Sequence, residues 1–181
     1  MEEFIKLDQI TEPDKRSGLF ASINEKTGEV RKMSLIDVYH SVSQIELAEA
    51  IPDSIRSQFN IAKNLAVYSW FSYPFHQIAE MKAFSTVEDA LKCRLRKDKC
   101  SFRGLLKKAI KQGLIRDSGF SHIPVSKNPE SIEYSRELPE TMSELRNNLA
   151  HGGTTLHPDS APTLKICSEV INQLYAVPSG E

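Results

Sequence analysis

A chain of 181 residues with 40% apolar and 26% charged side chains is long enough to bury a real core and too apolar for wholesale disorder. Its 23 lysines and arginines against 24 aspartates and glutamates leave a formal charge of −1, which excludes a protein that coats nucleic acid by bulk charge; any such contact must come from a local patch. Cys93, Cys100 and Cys167 are widely spaced without a metal-ligand rhythm and suit a reducing compartment, while the acidic start Met1-Glu2-Glu3-Phe4 lacks a signal-peptide pattern and no apolar run approaches the ~20 residues of a membrane span. A cytoplasmic location away from the membrane is expected.

In chain order, Leu19–Ile23 and Glu29–Met33 flank the polar turn Asn24-Glu25-Lys26-Thr27-Gly28, the pattern of a small β-hairpin. An isolated hairpin is marginal in water, so it is expected either to lie on the body or a partner, or to be a partly ordered arm. Helical signals follow. Ser34 can cap a helix with Asp37 in its first turn, and Leu35, Val38, Tyr39, Val42 and Ile45 recur at helical spacing. Pro52 opens a second helix, whose stripe is Ile55, Phe59, Ala62, Ala66 and Trp70. Pro74 should kink or break this segment near Phe71–Tyr73. Beyond it Phe75, Ile78, Met81, Phe84, Val87, Leu91 and Leu95 continue the period, and this aromatic-rich pair is the expected centre of the core.

A basic stretch comes next, from Lys92 to Arg116, and includes Arg103, Lys107, Lys108 and Lys111. It reads equally as a solvated helix face or a phosphate-attracting surface. Phe102, Leu105, Leu106, Ala109 and Ile110 give a short helix that Gly113 can terminate. Asp117–Glu137, with Gly119, Pro124 and Pro129, reads as a long loop of the kind that is often functional or mobile. Pro139 and Glu140 start a helix onto which Leu138 can pack back. It ends in Glu144-Leu145-Arg146-Asn147-Asn148-Leu149-Ala150-His151-Gly152-Gly153, with Leu145 and Leu149 one repeat apart on the buried stripe. After a turn over Thr154–Ser160, Pro162 begins a last helix with Leu164, Cys167, Val170, Ile171 and Leu174 inward. The sum is an all-α bundle of about five to six helices, residues 34–181, with an N-terminal hairpin or arm, residues 1–33.

Phosphate-binding glycine loops and the His-Glu-x-x-His zinc pattern are absent from the sequence, so no metal or cofactor is expected. Glu80 and Glu88, two turns apart, read as a solvated or ion-paired edge, or alternatively as a buried acid that orients Arg146. His40 and His76 occur singly, as packed or exposed residues, and His157 lies close enough in sequence to share a cleft with His151. Arg146 and His151 are roughly 140° apart around an ideal helix and about 7.5 Å apart along it. They meet a common ligand only if the helix end loosens or a second chain completes the site. Their plainest reading is a surface arginine and a histidine that complements a helix C-terminus.

The stretch Arg146-Asn147-Asn148-Leu149-Ala150-His151 resembles the arginine, four-to-six residues, histidine motif of HEPN domains (higher eukaryotes and prokaryotes nucleotide-binding). The polar residue after the arginine, the late position in a helical bundle and Gly152 after the histidine are similar too, and the likeness extends loosely over residues 35–176. Arg116–His122 also satisfies the spacing, but in a glycine-containing loop with no amphipathic helix to position it. The resemblance implies a metal-independent endoribonuclease that acts as a homodimer on RNA, in many members a toxin or phage-defence effector, with an antitoxin protein as a further partner. Arg146 and His151 would then be catalytic. Asn147 would contact substrate, and basic residues including Lys107, Lys108 and Lys111 would attract the RNA backbone. The alternative it leaves open is a non-catalytic module that binds nucleotide, RNA or a protein.

Overall fold

A computed structural model describes residues 3–24, 26–124, 128–151 and 159–176. Among them are a two-stranded antiparallel hairpin, β1 (Ala21–Ile23) and β2 (Val30–Lys32), and six α-helices. These are α1 (Leu35–Ser43), α2 (Asp53–Tyr68), α3 (Phe75–Leu95), α4 (Phe102–Lys111), α5 (Leu138–Ala150) and α6 (Ala161–Tyr175). The expected class, a helical bundle with a small N-terminal hairpin, is the observed one. The hairpin rests on the body by its base: Phe20 stacks on Tyr73 with ring centroids 6.2 Å apart, and Arg31 pairs with Asp37 of α1.

Local chemistry explains where the helices begin and end. Ser34 and Asp37 form a reciprocal capping box, each side chain satisfying a backbone N–H that the first turn of α1 leaves open. The break at Pro74 is complete: α2 stops at Tyr68, Trp70 falls outside it, and Pro74 caps α3. Asp14 holds the intervening turn, taking the Tyr73 N–H at 2.9 Å and giving its own N–H to the Trp70 carbonyl. The Arg16 guanidinium is the main reason that the Asp14 carboxyl titrates low, near pH 2. Gly113, at φ +71°, lets α4 end with the Leu114 N–H on the Ala109 carbonyl, a 6→1 closure that a left-handed residue permits.

Helix α3 is the hub, packed against α2, α4, α5 and α6. Its buried side chains are not the expected stripe throughout. Phe75, Ile78 and Met81 are exposed, while His76, Ala79, Glu80 and Ala83 are buried in their place. Small side chains let neighbouring helices approach closely, so the first turns of α3 bury an alanine-rich face and leave the bulkier residues outside. From Phe84 onward the expected positions Val87 and Leu91 are fully buried, as are Leu164, Cys167, Val170, Ile171 and Leu174 of α6.

The long segment before α5 is knit together rather than loose in its described parts. Asp117, 3% exposed, accepts hydrogen bonds from the hydroxyls of Ser131 (2.6 Å) and Ser135 (2.7 Å) and from the N–H groups of Tyr134 (3.2 Å) and Ser135 (2.8 Å). Burial works against its charge, but these four donors outweigh it and hold the carboxyl near pH 2. Because the folded-state value lies below the unfolded one, the stabilisation is present above about pH 4 and is lost as the pH falls toward 2. We expect Asp117→Ala to cost about 2 to 3 kcal/mol at pH 7, because it strands buried donors. The same substitution should flatten the loss of stability between about pH 4 and 2, measured by urea unfolding across that range.

Candidate functional site

Arg146 leaves α5 toward α3. Its guanidinium lies 2.7 Å from Glu88 Oε2 and 5.7 Å from the centre of the Phe102 ring, a salt bridge and a cation–π contact on one side chain. The other oxygen of Glu88 receives Lys92 Nζ at 2.8 Å. Glu88 is 15% exposed and Arg146 37%, so the carboxylate is largely withdrawn while the guanidinium keeps an open edge. Of the two carboxylates flagged in the sequence, Glu88 orients the arginine. Glu80, fully buried, instead accepts a hydrogen bond from Thr163 of α6 at 2.7 Å.

The open edge of Arg146 borders a groove of about 570 Å³ between the start of α4 and the outer face of α5. Arg103, Glu140, Glu144, Asn147 and Asn148 line it together with Arg146. Glu140 is occupied: Arg103 and Lys107 both pair with it, and they hold its carboxyl below the usual range. Lys107 is therefore near the groove but ion-paired. Lys108 and Lys111 sit in the last turn of α4, where cations complement the dipole, and do not line the groove. Among the described residues, no ionic partner exists for Arg96, Lys97, Lys99 or Lys111, which are exposed.

His151 is the C-cap of α5, exposed, with its N–H on the Asn147 carbonyl at 2.9 Å. Asn147 and His151 are one turn apart and share a side of the helix, the side that also carries Glu140 and Glu144. Arg146 and Asn147 thus meet at the groove, and His151 continues its line beyond the last turn. Gly152, Gly153 and His157, also singled out in the sequence, lie outside the described residues. The competing Arg116–His122 stretch is structurally engaged: Arg116 pairs with Glu130, and the His122 ring packs edge-on against Phe120 and Tyr134.

Sequence reasoning did not anticipate Phe102 as a partner of the arginine, nor the Arg103–Glu140–Lys107 cluster. Both are contacts between α4 and its neighbours that no local spacing encodes. Among the described residues no group of three metal-ligating side chains converges, and no helix is long and apolar enough to cross a membrane. Comparison with known proteins finds no family model, curated protein or solved structure that matches the chain.

A second polar contact fixes the start of α6. His76 Nδ1 receives both the Ser160 hydroxyl at 2.9 Å and the Ser160 N–H at 3.2 Å, in a site where His76 is 8% exposed and Ser160 fully buried. The backbone N–H can only donate, so the ring nitrogen that accepts it is unprotonated. Burial lowers the His76 pKa below 6.5, against the raising influence of Asp159 and Glu80. A neutral buried histidine contributes stability that is complete above the unfolded value of about 6.5 and is lost as the pH falls below it. We expect thermal stability to decline from pH 7 to 5 in the native chain. In His76→Gln, whose side chain does not ionise there, that part of the decline should disappear.

Proposed function

We propose that this chain is a HEPN-like, metal-independent endoribonuclease that works as a homodimer. One observation carries the reading. The end of α5 exposes an amide and an imidazole one turn apart, beside an arginine whose guanidinium is already held by Glu88 and Phe102. The resemblance of Arg146–His151 to the family's motif supports it further.

The chemistry needs little more than those groups. In RNA the 2′-oxygen attacks the neighbouring phosphorus and the bond to the 5′-oxygen breaks, leaving a 2′,3′-cyclic phosphate and a 5′-hydroxyl. One proton leaves the 2′-hydroxyl and one reaches the departing 5′-oxygen. His151 moves a proton in this scheme, since an imidazole carries a ring nitrogen that can accept a proton and one that can donate it. Arg146 stabilises the charge that grows on the phosphate oxygens, for which a planar guanidinium is suited. Asn147 positions the substrate. Arg146 and His151 leave α5 in different directions, and pairing two copies of the helix across a two-fold axis sets the arginine of one chain toward the histidine of the other. The exposed Lys97, Lys99 and Lys111 draw in the RNA backbone. A toxin or defence role, with an antitoxin protein to restrain it, follows from the same reading.

A second reading has its own support: Arg146 is already ion-paired, and the groove carries as many carboxylates as guanidiniums. Those features suit a module that binds RNA or nucleotide without cutting it. The two readings part on one experiment, cleavage of varied RNAs with a metal chelator present and the dimer verified. The nuclease reading expects cleavage by the native chain and a fall of at least ~10²-fold in both Arg146→Ala and His151→Ala. Intact RNA in all three samples would favour the binding module, and full activity in both variants would remove the motif from the chemistry.

A further inference from the structure

We propose that the groove between α4 and α5 is a nucleobase pocket and that Glu144 gives it a preference for guanine. This rests on the reading that α5 meets RNA or nucleotide, and adds which part of the nucleotide enters the groove.

Two arginines and two glutamates line the groove, but three of the four are already committed: Arg103 to Glu140, and Arg146 to Glu88 outside the lining. Glu144 is exposed, borders the groove, and has no hydrogen-bond or ionic partner among the described residues. Of the four charged side chains that line the groove, Glu144 alone has no partner among the described residues. A carboxylate repels phosphate and, as an acceptor with two oxygens, calls for paired N–H donors.

The neighbours of Glu144 narrow the ligand further. Asn147 and Asn148 follow it by three and four positions on the same side of α5 and also line the groove. Neither amide has a hydrogen-bond partner among the described residues. Each can donate to a carbonyl or ring nitrogen. A carboxylate beside free amides matches guanine better than the other bases. Guanine presents N1–H and the 2-amino group side by side, and O6 and N7 as acceptors next to them. Adenine and cytosine set their single amino group beside an acceptor, and uracil flanks its N–H with two carbonyl oxygens that a carboxylate repels. The groove, at about 570 Å³, falls within the range of small-molecule sites. Glu144 and His151 lie two turns apart, about 10 Å along the axis, so a base held at Glu144 leaves its own ribose and phosphate near Asn147, Arg146 and His151.

Calorimetric titration of the full chain with 3′-GMP, 3′-AMP, 3′-CMP and 3′-UMP at fixed ionic strength tests this, with Glu144→Gln alongside. Circular dichroism and the melting temperature confirm that the variant is folded. The proposal expects 3′-GMP to bind about tenfold or more tightly than the other three, and Glu144→Gln to erase that margin while changing the weaker affinities little. Equal affinity for all four nucleotides, a guanine preference that survives Glu144→Gln, or no binding at millimolar concentration would each overturn it. So would an arginine-rich peptide that binds the native chain but not Glu144→Gln when no nucleotide binds, since Glu144 would then serve a protein partner. Cleavage is not needed for the readout: a guanine preference in a chain that leaves RNA intact would sink the nuclease reading and keep this one. Cleavage without any preference for guanine beside the cut would do the reverse.

Discussion

The contact between Glu88 and Arg146 ties the motif helix to the hub of the bundle. It joins α3 to α5 through a carboxylate that is mostly out of solvent, and Phe102 of α4 supplies a ring for the same guanidinium. Three helices thus converge on one cation. In energy the pair is modest, since a guanidinium more than a third exposed is well screened. Its larger consequence is orientation. An arginine free to sample its rotamers has to be ordered at each binding event, whereas one already paired and packed loses less on meeting a ligand.

Polar contacts of another kind hold the chain ahead of α5 and at the start of α6. Ahead of it, Asp117 gathers Ser131, Tyr134 and Ser135, fixing the chain three residues before the helix begins. Beyond it, His76 binds the backbone and hydroxyl of Ser160 and so sets where α6 starts. Both are buried groups whose charge state is specified, one ionised and the other neutral. Moderate acid therefore acts first on the α6 side, through His76, and stronger acid on the approach to α5, through Asp117. In chain order, the exposed end of α5, with Asn147 and His151, falls between these two contacts.

Much of this frame is legible in the sequence because it rests on short-range rules. Ser34 with Asp37, Pro52, Pro74 and Gly113 mark helix ends through backbone chemistry confined to a few residues, and the apolar period of α6 names its buried face. Periodicity failed at the start of α3, where it selects the bulky residues Phe75, Ile78 and Met81, but Ala79 and Ala83 on another side of the helix allow a closer packing that it does not weigh. The Asp117 network was missed for a related reason: the serines it gathers are 14 and 18 positions away, in a segment that reads as loop. At the candidate site, Arg146, Asn147 and His151 are picked out by a motif resemblance together with their place at a helix end, since Arg116–His122 has the same spacing. Their surroundings do not, because Glu88, Phe102 and Glu144 acquire meaning only once α3, α4 and α5 are packed. Glu88 was at least visible as a carboxylate at the edge of an apolar stripe.

The most direct test of the structural core of this picture is a double-mutant cycle on Glu88 and Arg146, with Glu88→Gln, Arg146→Gln and the combined variant compared in urea unfolding at low salt. A pair that fixes the arginine between α3 and α5 predicts a coupling on the order of 1 kcal/mol, shrinking as salt is added. Additive effects of the two substitutions, within about 0.3 kcal/mol and indifferent to salt, would mean that the two side chains do not hold each other in solution. Arg146 would then reach the groove with no fixed orientation.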